Sequence, residues 1–146
     1  MIETLLLVDR HAVMRHPLAL HLARTLPAKR VLEAGNNAEA TALSPGIDVA
    51  ITELDLPDGD AVALISLIAV SQPAARIVVL TGSEDLLHAA QAVEAGAHAL
   101  VHKRANADEL IETIHLLMRG ERLLTETDIA EMRRAARQNR PGVNPA

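Results

Sequence analysis

The chain contains no Phe, Tyr or Trp and no Cys. Without aromatic rings its core has to be assembled from Leu, Ile, Val, Ala and Met, whose many small dispersion contacts replace the large area a ring would bury. Without cysteine, a disulfide framework and a thiolate metal site are both excluded. No apolar run approaches the ~18 residues of a membrane span, and no leading apolar segment flanked by Lys or Arg marks a secretion signal. Positive charge is also short, with 14 Lys and Arg against 19 Asp and Glu and a net charge of -5. That balance argues against the body of the domain binding nucleic acid through clustered phosphate contacts, although it does not exclude a basic tail from doing so. Together these absences lead us to expect a soluble cytoplasmic protein. What is present is 146 residues, 49% of them hydrophobic, enough for one domain with a real core and too few for two of ordinary size.

Short apolar runs at Thr4 to Val8, Arg30 to Glu33, Val49 to Thr52, Ile77 to Leu80 and Ala99 to Val101 alternate with longer stretches of helical periodicity. The alternation predicts five strands and five helices in a doubly wound parallel α/β sheet, with right-handed crossovers and helices on both faces. The first helix is expected over Ala12 to Leu26, presenting Val13, Leu18, Leu22 and Leu26 on one face. Pro27 stops it, and Pro17 implies a late start or a kink. The third should begin near Asp60 and run through Val62, Leu64, Ile65 and Ile68 to a stop before Pro73. Ser83-Glu84-Asp85 offers a cap and acidic first turn for the fourth, which ends at Gly96. The fifth begins after Asn106, turns Leu110, Ile111, Ile114 and Leu117 to the sheet, and ends at Gly120.

Beyond that point Thr125 to Gln138 reads as one more helix, with Ile129 and Met132 as its main apolar residues. Its end is basic through Arg133, Arg134, Arg137 and Arg140, which reads either as a solvated, dipole-complementing helix end or as a docking element. Pro141 to Ala146 has the composition of a disordered tail. The expected division is a domain over 1–120 and a helical appendage over 121–146. Within this sequence we expect no helix-turn-helix to read DNA.

In such sheets the site lies at the carboxyl ends of the strands. Asp9 ends the first strand, Glu53 the third, Thr81 the fourth and Lys103 the fifth, so four side chains from separated segments converge above one sheet edge. The segments that carry them are Leu5-Leu6-Leu7-Val8-Asp9-Arg10, the run Ile47 to Gly59 with its tight turn at Leu56-Pro57-Asp58-Gly59, Val78-Val79-Leu80-Thr81-Gly82, and Ala95-Gly96-Ala97 to Lys103. Over Thr4 to about Arg119 they resemble the receiver domain of bacterial two-component response regulators. In that family two adjacent acids after the first strand help bind Mg²⁺, an Asp ending the third strand accepts a phosphoryl group, and a Thr or Ser and a Lys contact it. Here Asp9 matches the first acid, Arg10 replaces the second and Glu53 replaces the acceptor. Thr81 and Lys103 match, and Asp55 sits where a backbone carbonyl would complete the metal site. The resemblance also makes Leu100 the occupant of a switch position that is often aromatic. It implies a dimerisation or docking face on the fourth helix, fifth strand and fifth helix, with Leu86, Leu87, Val93, Ile111 and Leu116 as candidates, although burial in the core is the ordinary explanation for most of them.

The two replacements change the charge of the pocket. Asp9 and Glu53 are balanced by Arg10 and Lys103, so the pocket supplies its own counter-ions, and a guanidinium near the metal position repels the Mg²⁺ on which phosphoryl transfer depends. The extra methylene of Glu53 also misplaces any nucleophile, and shifts of about 1 Å can cost on the order of 10²-fold in rate. We therefore expect no resident cofactor, Mg²⁺ binding lost or weak, and no phosphorylation at Glu53. Three pictures of Glu53 remain: a charge-assisted fork with the Arg10 side chain, a carboxylate reaching toward Lys103 and Thr81 in partial imitation of a phosphoryl group, and an ordinary exposed strand-end residue.

Other chemistry is poorly supported. The seven histidines show no compact metal-ligand spacing, although His11 and His102 are expected near the pocket rim. Asp55, Asp58 and Asp60 resemble a calcium loop only superficially and fit better as the turn and cap before the third helix. Ser66 and Ser83 have no visible base partner. The expectation is a non-enzymatic protein-recognition module in bacterial signalling, with a protein partner and a possible homodimer. Its alternatives are a receiver phosphorylated at Glu53 or Asp55 that signals to a separate output protein, and the receiver segment of a longer DNA-binding regulator.

Overall fold

Near-continuous Leu, Ile and Val runs are stable as strands only where both faces of the sheet are covered. The computed structural model, which describes residues 2–43, 46–82 and 86–138, shows this arrangement. The elements follow as β1 (Ile2–Val8), α1 (Ala12–Thr25), β2 (Ala28–Ala34), α2 (Asn37–Leu43), β3 (Val49–Glu53), β4 (Asp55–Leu56), β5 (Gly59–Asp60), α3 (Val62–Ser71), β6 (Arg76–Thr81), α4 (Leu86–Ala95), β7 (Ala99–His102), α5 (Ala107–Met118) and α6 (Glu126–Gln138). Five strands form one parallel sheet in the order β2-β1-β3-β6-β7. β4 and β5 form a separate antiparallel hairpin at the turn expected after Glu53.

Alternate residues along each strand serve two cores. Leu6, Val8, Ala50, Ile77 and Val79 join Leu64, Ile65 and Ile68 of α3 on one face. Leu5, Leu7, Val49, Ile51, Val78 and Val101 join Ala19 and Leu22 of α1 and Leu110, Ile114 and Leu117 of α5 on the other. Aliphatic side chains fill both layers.

Several helix expectations need correction. α1 begins at Ala12 and runs through Pro17 without a late start. Val13 is 86% exposed and does not belong to the buried face, which Ala19 and Leu22 supply with Leu26 just beyond the helix. Asp60 does cap α3, accepting the Val62 N–H at 2.9 Å. Asp58 instead caps α2, accepting the N–H groups of Asn37 and Ala38 at 2.9 and 3.1 Å. Asn106 caps α5 through the Glu109 N–H at 2.9 Å. After α4, Gly96 has φ +131°, and a Cβ there would lie 2.6 Å from that of Ala69, so both the turn and the close approach require glycine. The expected cap at Ser83-Glu84-Asp85, together with Arg140 and the tail from Pro141, lies outside the described residues.

Candidate functional site

Parallel register brings the strand ends level, since Val8 pairs with Thr52, Glu53 with Leu80 and Thr81 with His102. Asp9, Glu53, Thr81 and Lys103 consequently meet at one edge, around a cavity of about 310 Å³ whose lining includes Arg10, His11, Glu53, Asp55, Thr81, Gly82 and Lys103. Asp9 is 3% exposed and Glu53 6% exposed, so the reading of Glu53 as an open strand-end residue is wrong.

The counter-ion is Lys103. Its Nζ lies 2.7 Å from Glu53 Oε2 and 3.5 Å from Asp9 Oδ2. The other Glu53 oxygen, Oε1, accepts the backbone N–H of Arg10 at 2.5 Å. The expected guanidinium fork is therefore replaced by a main-chain hydrogen bond, and the exposed Arg10 side chain makes no ion pair among the described residues. The backbone N–H is close at hand because β1 ends beside β3, whereas a guanidinium would have to fold back from the rim. Asp9 Oδ1 accepts the His11 N–H at 2.8 Å and lies 3.4 Å from His11 Nδ1. Burial disfavours the Lys103 ammonium, but the Glu53 hydrogen bond and the charges of Asp9 and Glu53 outweigh it and hold the amine above its ordinary value.

A supporting cluster behind the pocket was not anticipated. Arg15 donates from Nη1 to the Asp9 carbonyl at 2.7 Å and from Nε to Glu33 Oε1 at 3.1 Å, while His16 Nδ1 meets Glu33 Oε2 at 2.8 Å. Burial raises the Glu33 pKa, but the His16 and Arg15 hydrogen bonds and charges prevail and the carboxyl stays below its ordinary value. Gly35 leaves room for this arrangement, since a Cβ there would stand 3.0 Å from Arg15 Nη1. The only sequence signal was an Arg in the first turn after the strand-end acid.

The remaining expected site residues separate. Asp55 reaches the cavity lining, but its side chain is 74% exposed and lies 3.8 Å from His88 Nδ1. His11 joins the rim, whereas His102 faces a neighbouring cavity and accepts the Arg104 N–H through Nδ1 at 3.0 Å. Leu100 is half-buried and packs against the core on the α3 side. Of the proposed contact face, Val93 and Ile111 are core residues and cannot meet a partner, Leu86 and Leu116 are half-buried, and Leu87 is 44% exposed. One oxygen each from Asp9 and Glu53 and one His11 nitrogen lie within 4.8 Å of one another, a donor set of two carboxylates and an imidazole. That group contains one histidine and two strand-end acids, so it does not bear on the expected lack of a compact metal-ligand spacing among the seven histidines.

A doubly wound sheet with these four side chains at its carboxyl edge defines a signalling receiver module. The chain belongs to the response regulator receiver domain family, whose pattern matches residues 5–115. It is 32% identical to the transcriptional regulatory protein UhpA of Salmonella typhimurium over 93% of this chain and 68% of that protein. To the DNA-binding transcriptional activator DevR/DosR of Mycobacterium tuberculosis it is 32% identical over 92% of this chain and 65% of that one. Among solved structures, a LuxR-family two-component response regulator from Aurantimonas superposes with TM-score 0.76 and 26% identity, covering 92% of this chain and 98% of that chain. A Burkholderia pseudomallei response regulator with a phosphorylated aspartic acid and a calcium ion superposes at TM-score 0.70 and 28% identity, covering 97% and 77%. No helix among the described residues is long and apolar enough to cross a membrane.

Proposed function

We propose that this receiver has given up metal-dependent phosphoryl transfer and works in two-component signalling as a protein-recognition module. The observation that carries the reading is the state of Glu53. One of its oxygens is taken by Lys103 and the other by the Arg10 N–H, so the carboxylate is neutralised and hydrogen-bonded by the chain itself. A divalent cation needs several free oxygen ligands, and here the second family acid is Arg10 while Asp9 Oδ1 already serves the His11 N–H. The donor set fits Mg²⁺ poorly. Glu53 points its carboxylate at Lys103, as an acceptor's phosphoryl group would, but a single carboxylate lacks the charge and third oxygen of that group. The proposed division is a receiver over 1–120, with 121–146 as an appendage, and the proposed location is the cytoplasm.

Amide NMR spectra recorded with Mg²⁺ and then with beryllofluoride test the reading. Resonances around Asp9, Glu53, Thr81 and Lys103 are expected to stay in place; large shifts there would establish a working phosphate-type site. The double substitution Arg10→Asp with Glu53→Asp is expected to restore a Mg²⁺-dependent shift, because it returns one carboxylate and shortens the other.

A second reading draws on the relatives. The two regulators compared above are a transcriptional regulatory protein and a DNA-binding transcriptional activator, and this chain spans 68% and 65% of them. On that reading the chain is the receiver part of a longer DNA-binding regulator and α6 leads toward its output domain. The length of the reading frame in the source gene decides it.

A further inference from the structure

The appendage helix does not stand clear of the domain. α6 packs along α4, burying Ala136 and half-burying Ile129, Met132 and Ala135. Arg133 Nε pairs with Glu94 Oε1 at 2.7 Å. Beside this contact Leu123, Leu124 and Ile129 share the lining of a crevice of about 210 Å³ with Val93, Ala97 and His98. One flank of α4 is therefore covered by a segment of the same chain.

The contact runs along both helices but buries little of α6 fully. α6 contributes one small buried side chain, its larger apolar residues stay half open, and the partners of its ion pair are 52% and 45% exposed. Exposed pairs of this kind add little to stability. The connector over 119–125 adds to this, because a short tether holds its ligand at an effective concentration on the order of millimolar. A helix whose side chains stay mostly half open can be displaced by a free ligand that binds the same flank well.

We propose that α6 is a built-in competitor for α4, and that a protein partner reaches this flank only by displacing it. The inference rests on the recognition role proposed above. The chemistry of the partner is read from α6 itself: an amphipathic helix with apolar residues at the spacing of Ile129, Met132 and Ala136, and a basic residue placed as Arg133 is, opposite Glu94. An acidic or wholly polar helix does not fit this flank.

The test needs no knowledge of the partner, because α6 is its own probe. A fluorescein-labelled peptide of residues 124–138 is titrated with the full chain and followed by anisotropy. Ala136→Asp introduces a charge into the buried position and releases α6 while leaving α4 unchanged. The peptide is expected to bind the released chain at least tenfold more tightly than the wild type, whose site is already filled. Adding Glu94→Arg to the released chain should weaken binding, and a peptide carrying Arg133→Glu should recover it there. Arg133→Glu in the full chain, a surface change that leaves Ala136 in place, should give a smaller gain in the same direction. Equal binding to wild type and both released variants, or no binding to a released chain whose sheet amide spectrum is intact, would overturn the proposal. Self-association of the released chain that Glu94→Arg abolishes would support it and make the partner a second copy. Beryllofluoride shifts in the pocket would sink the recognition-only role without changing the peptide result, so the two failures are distinguishable.

Discussion

Lys103 holds two buried carboxylates together, and its loss shows what the pocket depends on. In Lys103→Met, Asp9 and Glu53 are left side by side without a counter-ion, and removing one partner of a buried ion group costs about 3 kcal/mol. Urea unfolding at neutral pH should register that loss. Because the folded pKa of Lys103 is raised, the stability it contributes is complete below 10.5 and disappears as pH rises through the folded value. Glu33 has the opposite sign. Its lowered pKa gives stability that is present above 4.5 and lost as pH falls through the folded value. Glu33→Gln should therefore flatten the acid limb of the thermal stability curve followed by far-UV circular dichroism, while leaving the neutral pocket largely unchanged.

Among the elements, α1 separates what periodicity can and cannot show. Leu22 is fully buried and Val13 is 86% exposed, although helical periodicity predicts both on the same face. Leu22→Ala is expected to cost about 2–5 kcal/mol, whereas Val13→Ala should change stability by no more than about 0.5 kcal/mol, both measured as shifts in urea midpoint. Val13 sits in the first turn at the rim of the sheet, where no element among the described residues reaches over it, so an apolar residue there carries no packing information. α3 and α5 were legible almost residue by residue, because Leu64, Ile65 and Ile68, and Leu110, Ile111, Ile114 and Leu117, repeat at helical spacing against a flat sheet. The β4–β5 hairpin was visible only as a turn, since two-residue strands leave no periodicity to read.

At the scale of the whole molecule, stability is unevenly distributed. β1, β3 and β6 have strand neighbours on both sides and two apolar layers covering them, whereas α6 packs mainly on α4 and fully buries Ala136 as its one described core residue. Native-state hydrogen exchange should show α6 opening far more readily than the central strands, whose amides should approach the limit set by global unfolding. Protection of α6 equal to that of β3 would mean that the appendage is part of the cooperative core.

The sequence by itself determined the alternation of strands and helices, the aliphatic core and the identity of the pocket residues, because burial of apolar runs is written in their periodicity and the strand ends follow from where those runs stop. It also showed that the pocket carries its own positive charge. Only the tertiary structure decided which cation does the neutralising, and it chose Lys103 and a backbone N–H over the Arg10 guanidinium. It alone revealed Arg15 and Glu33 behind Asp9, and α6 lying on α4. Those outcomes depend on which side chains from distant segments arrive at the same point, and local sequence pattern carries no record of such meetings.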